Sequence, residues 1–342
     1  MTEPSLAGFL ELTGAKFSCF DLSVQLKKLP KSTLADLDAG KPYSTPHLNF
    51  AWLVILLWNP ENKDQNSFWF LKLPLDEQGQ LSPGVHSDLV NRLYRSVQTQ
   101  DEKERQRLLT DHPYQFSPNE EKKAALHAQA SKLLASKSSQ FYAPALEFYT
   151  DANSPLQWQA LGLQGISDLL VRLDSAQEQA LIKQIPHLDS EPFIALMNQM
   201  EHTTPSTQLV EAVLSRSSIY TQTSEMIAAI RGVSQAKANK MVRPLIDQGL
   251  KFFANQLELL LAIITRYPHW MTDVQFSVPV LDQLAQSTDQ DGFQKIIHHL
   301  AILPGLQGIV MSLLGAPNIT PALANALSII IQQHRVQKSH VH

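Results

Sequence analysis

Short amphipathic segments follow one another from Asn153 onward, and each carries one narrow apolar stripe at helical spacing. Candidate hairpin starts recur roughly every 30 to 36 residues. One such hairpin cannot bury its stripe alone, so neighbouring hairpins must pack against each other. The pattern predicts an all-α, HEAT-like helical-hairpin solenoid, with a compact irregular helical domain as the alternative. The hairpin starts are predicted near Ser154, Ser190, Thr223, Asn255, Gln290 and Thr320.

The N-terminal third has a different pattern, which favours strands as well as helices. Phe50 to Trp58 is an uninterrupted apolar run of strand length, as expected of a strand buried on both faces. Ser67 to Leu75 is rich in Phe and Trp and predicts the second strand of a hairpin. Lys16 to Ser23 is a third candidate strand, and Pro4 to Leu12, followed by Gly14, predicts a helix. We therefore predict an α+β N-terminal domain in a chain that is mostly α.

Changes in these patterns predict the domain boundaries. The spacing of apolar residues changes from about two to about 3.6 residues from Ser82 onward, and Pro113 and Pro118 interrupt the helical pattern that follows. The sequence predicts a small α/β domain at 1–110, a linker helix region at 111–153, a helical repeat array at 154–336 and a flexible tail at 337–342.

Composition restricts the classes of function. The formal net charge is −4, which provides no bulk attraction to nucleic acid. The single cysteine, Cys19, excludes an intramolecular disulfide. The longest apolar run is about half of the roughly 20 residues that a membrane-spanning helix needs, and Glu3 stands where an export signal would have a basic residue. We expect a cytoplasmic protein without membrane insertion.

No motif with recognisable chemistry is present in the sequence. The zinc-binding spacings CxxC and HExxH do not occur, and neither do GxSxG, the P-loop or GxGxxG. His298 and His299 are adjacent, so their side chains diverge by about 100° on a helix and cannot face one ion. We expect no catalytic residue, no native metal site and no cofactor.

One segment departs from the acidic average of the chain. Between Arg231 and Arg266, six basic residues accompany two acidic ones. Solvated helix faces often produce such runs, but on a solenoid the same charges would form a strip that steers a protein partner. Nucleic-acid binding by the same strip is a weaker alternative. The candidate partner-binding residues of this basic strip are Arg231, Lys237, Lys240, Arg243 and Arg266.

A second candidate site lies where the predicted sheet meets the next helix. Asp76 and Glu77 follow the second strand of the hairpin, and Tyr94 belongs to the helix after it. Turn formation explains Asp76 without catalysis. A cleft at this position would instead favour an enzyme or a small-ligand binder that uses these three residues.

The most distinctive segments of the sequence lie in the predicted N-terminal sheet. They are Phe20-Asp-Leu, Ala51-Trp-Leu leading to Trp58, and the run from Trp69 to Gly79. With them the chain resembles, over essentially its full length, an uncharacterised gammaproteobacterial family catalogued as a domain of unknown function. The resemblance implies a bacterial cytoplasmic protein and brings no catalytic or binding residues.

The sequence therefore favours a non-enzymatic interaction or scaffold protein. Helical arrays often serve this purpose because they present a large, modular surface to a protein partner.

Overall fold

The computed structural model describes residues 4–216, 220–237 and 239–339. The chain divides into two compact units, Met1–Ser138 and Ser139–His342. The first unit contains a small antiparallel sheet, and the second consists of helices. The prediction of a mostly α protein with an N-terminal α+β part is confirmed at this level.

The first unit contains five helices and four strands within the described residues. In chain order they are α1 (Leu6–Thr13), β1 (Lys16–Asp21), β2 (Lys27–Lys28), α2 (Thr33–Asp38), β3 (Phe50–Trp58), β4 (Asn66–Pro74), α3 (Pro83–Gln98), α4 (Glu102–Thr110) and α5 (Glu120–Leu133).

β3 is the central strand on which the first unit is built. The strands are antiparallel and lie in the order β2-β1-β3-β4. Side chains alternate between the two faces of a strand, so Leu53 and Ile55 join the core under α1, α2 and α3, whereas Val54 and Leu56 join the core under α5. Burial on both faces explains the uninterrupted apolar run and confirms that prediction.

The helix α1 shows why its boundaries could be predicted locally. The hydroxyl of Ser5 accepts a hydrogen bond from the backbone N–H of Gly8 and caps the N-terminus. Gly14 adopts a left-handed conformation with φ of 66°, which favours glycine and ends the helix.

The linker predicted at 111–153 is wrong. The two units divide after Ser138, inside that range. Helix α5 packs on the sheet through Ala125, Leu126 and Ala130. The sequence predicts a helix in this region with Ala and Leu on one side, but it does not show that this side packs on the sheet.

The described residues of the second unit lie mostly in helices. In chain order they are α6 (Tyr142–Thr150), α7 (Leu163–Arg172), α8 (Ser175–Gln184), α9 (Ser190–Met200), α10 (Thr207–Ser215), α11 (Thr223–Gly232), α12 (Arg243–Phe252), α13 (Leu257–Arg266), α14 (Val274–Ser287), α15 (Gln290–Ala301), α16 (Ile309–Leu314) and α17 (Pro321–Ser339).

Helices of the second unit contact their next-but-one neighbours along the chain. α7, α9, α11 and α13 touch in succession, and so do α6, α8 and α10. Farther along, α14 contacts α13, α15, α16 and α17. The buried apolar side chains form one continuous core from Tyr149 to Ile330.

Helices begin at or just after five of the six predicted hairpin starts. Ser190, Thr223 and Gln290 are the first residues of α9, α11 and α15. Asn255 and Thr320 lie just before the first residues of α13 and α17. Successive odd-numbered helices from α9 onward therefore begin roughly 33 residues apart, within the range of helical-hairpin repeats.

The start predicted at Ser154 is wrong. The Ser154 hydroxyl accepts a hydrogen bond from the backbone N–H of Leu156, which forms a local turn instead of a helix cap. A 3-10 helix, Trp158–Ala160, follows, and α7 begins only at Leu163.

The C-terminal helix is longer than the sequence predicts. α17 continues to Ser339, so the tail predicted at 337–342 is wrong in its first residues, and 340–342 lie outside the described residues. Over the described ranges, no helix combines the length and the apolar character of a bilayer-spanning segment.

Gly165 of α7 lies in close contact with the backbone of Phe141. A Cβ at this position of α7 would overlap the backbone carbonyl of Phe141. We expect Gly165→Ala to lower the free energy of unfolding by about 1–3 kcal/mol, because the backbone must move to relieve the overlap.

Gly84→Ala is the matched control. A Cβ at Gly84 in α3 meets no atom within 4 Å, so this change leaves stability unchanged or raises it, as alanine favours helix. Urea denaturation of both variants tests the difference, and equal stabilities would contradict the close approach of α7 to Phe141.

Candidate functional site

Two arginines of the predicted basic strip pair with a buried glutamate, Glu201. Arg231 donates a hydrogen bond from Nε to Glu201 Oε2 at 3.1 Å, and Arg266 donates from Nε and Nη2 to the same oxygen at 3.2 and 3.1 Å. The Glu201 side chain is 1% exposed. Two of the five predicted partner-binding residues therefore serve an internal ion cluster.

The stacking of next-but-one helices produces this cluster. Glu201 directly follows α9, Arg231 lies in the last turn of α11, and Arg266 ends α13. Because α9, α11 and α13 pack side by side, the three helix ends bring one negative and two positive charges together.

The electrostatics favour the charged form of Glu201. Burial alone would raise its pKa, but the hydrogen bond from Arg231 and the charges of Arg266 and Arg231 outweigh burial and lower the pKa below its usual value. Glu201 is therefore a carboxylate at neutral pH that holds two arginines in place.

The other residues of the basic strip lie apart from this cluster. Arg243 donates to Asp247 at 2.8 Å, and its guanidinium carbon lies 4.6 Å from the centre of the Phe276 ring. Lys237 and Lys240 are exposed. A strip in which three of five cations already pair with a carboxylate has little charge left to attract a polyanion.

The acidic pair of the second candidate site forms a turn. Asp76 Oδ1 accepts hydrogen bonds from the backbone N–H groups of Gln78 and Gln80, and Glu77 is exposed. Tyr94 in α3 packs against the ring of Phe9, with a centroid distance of 5.7 Å. These interactions are structural, and Asp76, Glu77 and Tyr94 are absent from the lining of the cavity described next.

The first unit contains a partly open cavity of about 330 Å³ between β3, β4 and the helices α3 and α4. Apolar side chains form most of its wall, and Arg92 and His112 are among the few polar ones. The lining residues are Leu6, Leu10, Leu34, Ile55, Phe68, Trp69, Phe70, Leu71, Leu89, Arg92, Leu93, Leu108, Leu109, Thr110, His112, Gln115 and Phe116.

The segment after α4 closes one side of this cavity by returning to the sheet. The backbone N–H of Lys72 in β4 donates to the carbonyl of Tyr114 at 2.6 Å, and Leu71 forms an isolated bridge with Gln115. His112 and Gln115 line the cavity because this segment lies along the edge of β4.

Arg92 and His112 define the polar end of the cavity. Arg92 Nε donates to Asp88 Oδ2 and Nη1 donates to the carbonyl of Asp111, both at 3.0 Å. Burial lowers the pKa of His112, and the nearby positive charge of Arg92 lowers it further. His112 is therefore neutral at neutral pH, and Arg92 is the cation of the lining.

Sequence patterns did not indicate these two residues. Arg92 is one of several charged residues on α3, and His112 lies in a proline-containing segment that resembles a linker. Only the return of this segment to β4 shows that the residues belong to a cavity.

Asp21 is a buried carboxyl group that the strand pattern also hides. Its Oδ2 accepts from the hydroxyl of Tyr43 at 2.9 Å, and its Oδ1 accepts from the backbone and the hydroxyl of Ser23. Burial raises its pKa above the usual value. Because both oxygens are hydrogen-bonded, Asp21 has a structural role.

Cys19 is also buried, and burial raises the pKa of its thiol to about 12, as expected of an unreactive cysteine.

Comparison with known proteins covers nearly the whole chain. A family model described as "Protein of unknown function (DUF3549)" matches residues 3–331. The chain belongs to this family. Membership confirms the resemblance to a domain of unknown function over both units. No curated protein matches this DUF3549 member, and no solved structure matches it.

Removal of the central carboxylate tests the ion cluster. We expect Glu201→Gln to lower the free energy of unfolding by about 3 kcal/mol at neutral pH, because Arg231 and Arg266 lose their shared counter-ion. The pKa of Glu201 is lowered on folding, so its contribution is present above the usual pKa of 4.5 and is lost as the pH falls through the lower folded value. Chemical denaturation from pH 7 to pH 3 measures both effects.

Asp291→Asn is the control for this measurement. Asp291 and Lys295 form an exposed pair on α15, and such pairs contribute little to stability. If Glu201→Gln changed stability as little as this control, the ion cluster would not hold the three helix ends together.

Proposed function

We propose that the first unit binds a small, largely apolar ligand in the cavity between its sheet and the helices α3 and α4. The observation that carries the proposal is a cavity of about 330 Å³ with mainly Leu, Ile, Phe and Trp walls. Ligand pockets in proteins have volumes of roughly 300–1,000 Å³ and walls of this composition. An empty space of this size lowers the stability of a core, so a ligand that fills it would stabilise the unit.

The proposal is for binding and not for catalysis. His112 has the chemistry of a general base, but hydrogen bonds with the backbone of Leu109 and Tyr114 already engage its ring. The proposal retains the sequence-based hypothesis of a small-ligand site near the junction of sheet and helices. The polar residues of the site are now Arg92 and His112 instead of Asp76, Glu77 and Tyr94.

Filling the cavity with a larger side chain tests this function. Leu108 of α4 lines the cavity, so the ring of Leu108→Phe can occupy empty space. We expect this variant to keep or slightly gain stability, because no neighbour must move. Ethylbenzene, a small apolar probe, should raise the unfolding temperature of the wild type and leave that of Leu108→Phe unchanged.

Leu73→Phe is the matched control. Leu73 lies in the same core, fully buried, and does not line the cavity. We expect this variant to lose about 1–3 kcal/mol of stability, because the added ring must displace packed atoms, while ethylbenzene still stabilises it. Equal destabilisation by both substitutions, with no effect of ethylbenzene on the wild type, would contradict a ligand cavity.

A second candidate function is protein binding by the second unit, which we propose is a HEAT-like helical solenoid. The starts of its odd-numbered helices recur roughly every 33 residues, and its helices contact next-but-one neighbours as stacked hairpins do. Phe252 and Leu257 flank the turn between α12 and α13 and remain 65% and 37% exposed. Exposed apolar side chains of this size favour a protein partner.

The proposed setting is the cytoplasm of a bacterium. Nucleic-acid binding has less support, because Arg231 and Arg266 of the basic strip pair with Glu201 and the net charge of the chain is −4.

Affinity capture with charge variants tests protein binding. We expect the tagged wild type to retain a stoichiometric partner from extracts of its own cells, and Phe252→Glu to lose it by at least tenfold. Met311→Glu places the same charge at another exposed site, where the native side chain is 71% exposed, and should retain the partner. Equal recovery with both variants would exclude the turn between α12 and α13 as the binding surface.

A further inference from the structure

We infer that the ligand of the first-unit cavity is uncharged and carries one hydrogen-bond acceptor, such as a carbonyl oxygen, that binds the guanidinium of Arg92. This inference rests on the proposed function and specifies the chemical class of the ligand. Three observations support it, namely the state of the polar lining residues, the unused donors of Arg92 and the charges around them.

Most polar residues of the lining already have partners within the protein. The Thr110 hydroxyl donates to the carbonyl of Gln106, and Gln115 Nε2 donates to the carbonyl of Leu109. His112 Nδ1 accepts from the backbone N–H of Tyr114. These groups place little demand on a ligand, which can therefore be apolar over most of its surface.

Arg92 differs from them because it has donors to spare. A guanidinium has five N–H groups. Its Nε and Nη1 each make one hydrogen bond, to Asp88 and to the carbonyl of Asp111, and Nη2 makes none with the described residues. The Arg92 side chain is 29% exposed, so an acceptor on the ligand would replace water at these donors, in partly apolar surroundings where a hydrogen bond is stronger than in water.

The charges near Arg92 argue against an ionised ligand. Asp88 already pairs with Arg92, and the Asp111 carboxylate lies close enough to act on His112 electrostatically. Arg92 and Asp88 act on the neutral His112 as well, so one cation and two carboxylates lie near this end of the cavity. A carboxylate ligand would add a third negative charge, and an ammonium ligand would offer donors where Arg92 needs an acceptor.

Four small probes of similar size separate these possibilities. Ethylbenzene has no acceptor, acetophenone adds a carbonyl oxygen to the same skeleton, benzoate is an anion and benzylammonium is a cation. Calorimetric titration of the full-length protein should show acetophenone binding about tenfold more tightly than ethylbenzene, as expected for one additional hydrogen bond. Both ions should bind more weakly than acetophenone.

Arg92→Met assigns the preference to the guanidinium. This variant keeps much of the side chain's length and removes its donors, so the tenfold preference for acetophenone over ethylbenzene should disappear while ethylbenzene still binds. The ratio within one variant is insensitive to a general loss of stability. If Arg92→Met fails to fold, the four affinities of the wild type still test the inference.

The outcomes separate this inference from the proposed function. Equal affinities of wild type for acetophenone and ethylbenzene, or tighter binding of benzoate or benzylammonium, would overturn the inference and leave an apolar binding site. Absence of binding by all four probes, with the Leu108→Phe variant behaving as Leu73→Phe does, would overturn the cavity as a ligand site altogether.

Discussion

Burial of apolar stripes between next-but-one helices is the interaction on which the second unit depends. A buried Leu or Phe contributes roughly 1.5–3 kcal/mol, and the α9 side chains Phe193, Leu196 and Met197 are fully buried in the shared core. The same stacking sets other contacts. It places the backbone of Gly232 against Met197, where a Cβ would have too little space, and it brings Glu201 between two arginines.

Local patterns predicted the elements that depend on neighbouring residues. The bounds of β3 follow from its apolar run, and the first residues of α9 and α11 follow from the Ser or Thr at each helix start. Both signals lie within a few residues of the element that they predict. Glu201 could not be assigned in this way, because it lies 30 residues from Arg231 and 65 residues from Arg266. In the sequence these arginines look like a solvated basic strip, and only the packing of three helices shows that they face inward.

The cavity illustrates the same limit in the first unit. The sequence-based candidates Asp76 and Glu77 are charged residues of a turn. The polar end of the cavity is instead formed by Arg92 of α3 and by His112, which lies in a segment that folds back on the sheet. The cavity lies near the predicted junction of sheet and helices, but its polar lining residues come together only through a tertiary contact. The packing of helix α5 on the sheet was not predicted for a related reason, since it is a tertiary contact made largely by alanines.

The backbone hydrogen bond between Lys72 and Tyr114 also affects whether copies of this chain can associate through their sheets. An uncovered outer strand is a template for pairing with the strand of another molecule. Here the chain's own return segment occupies part of that position on β4, so these residues are not available to a second molecule. The residues that close one side of the cavity therefore also protect this part of the β4 edge from intermolecular pairing.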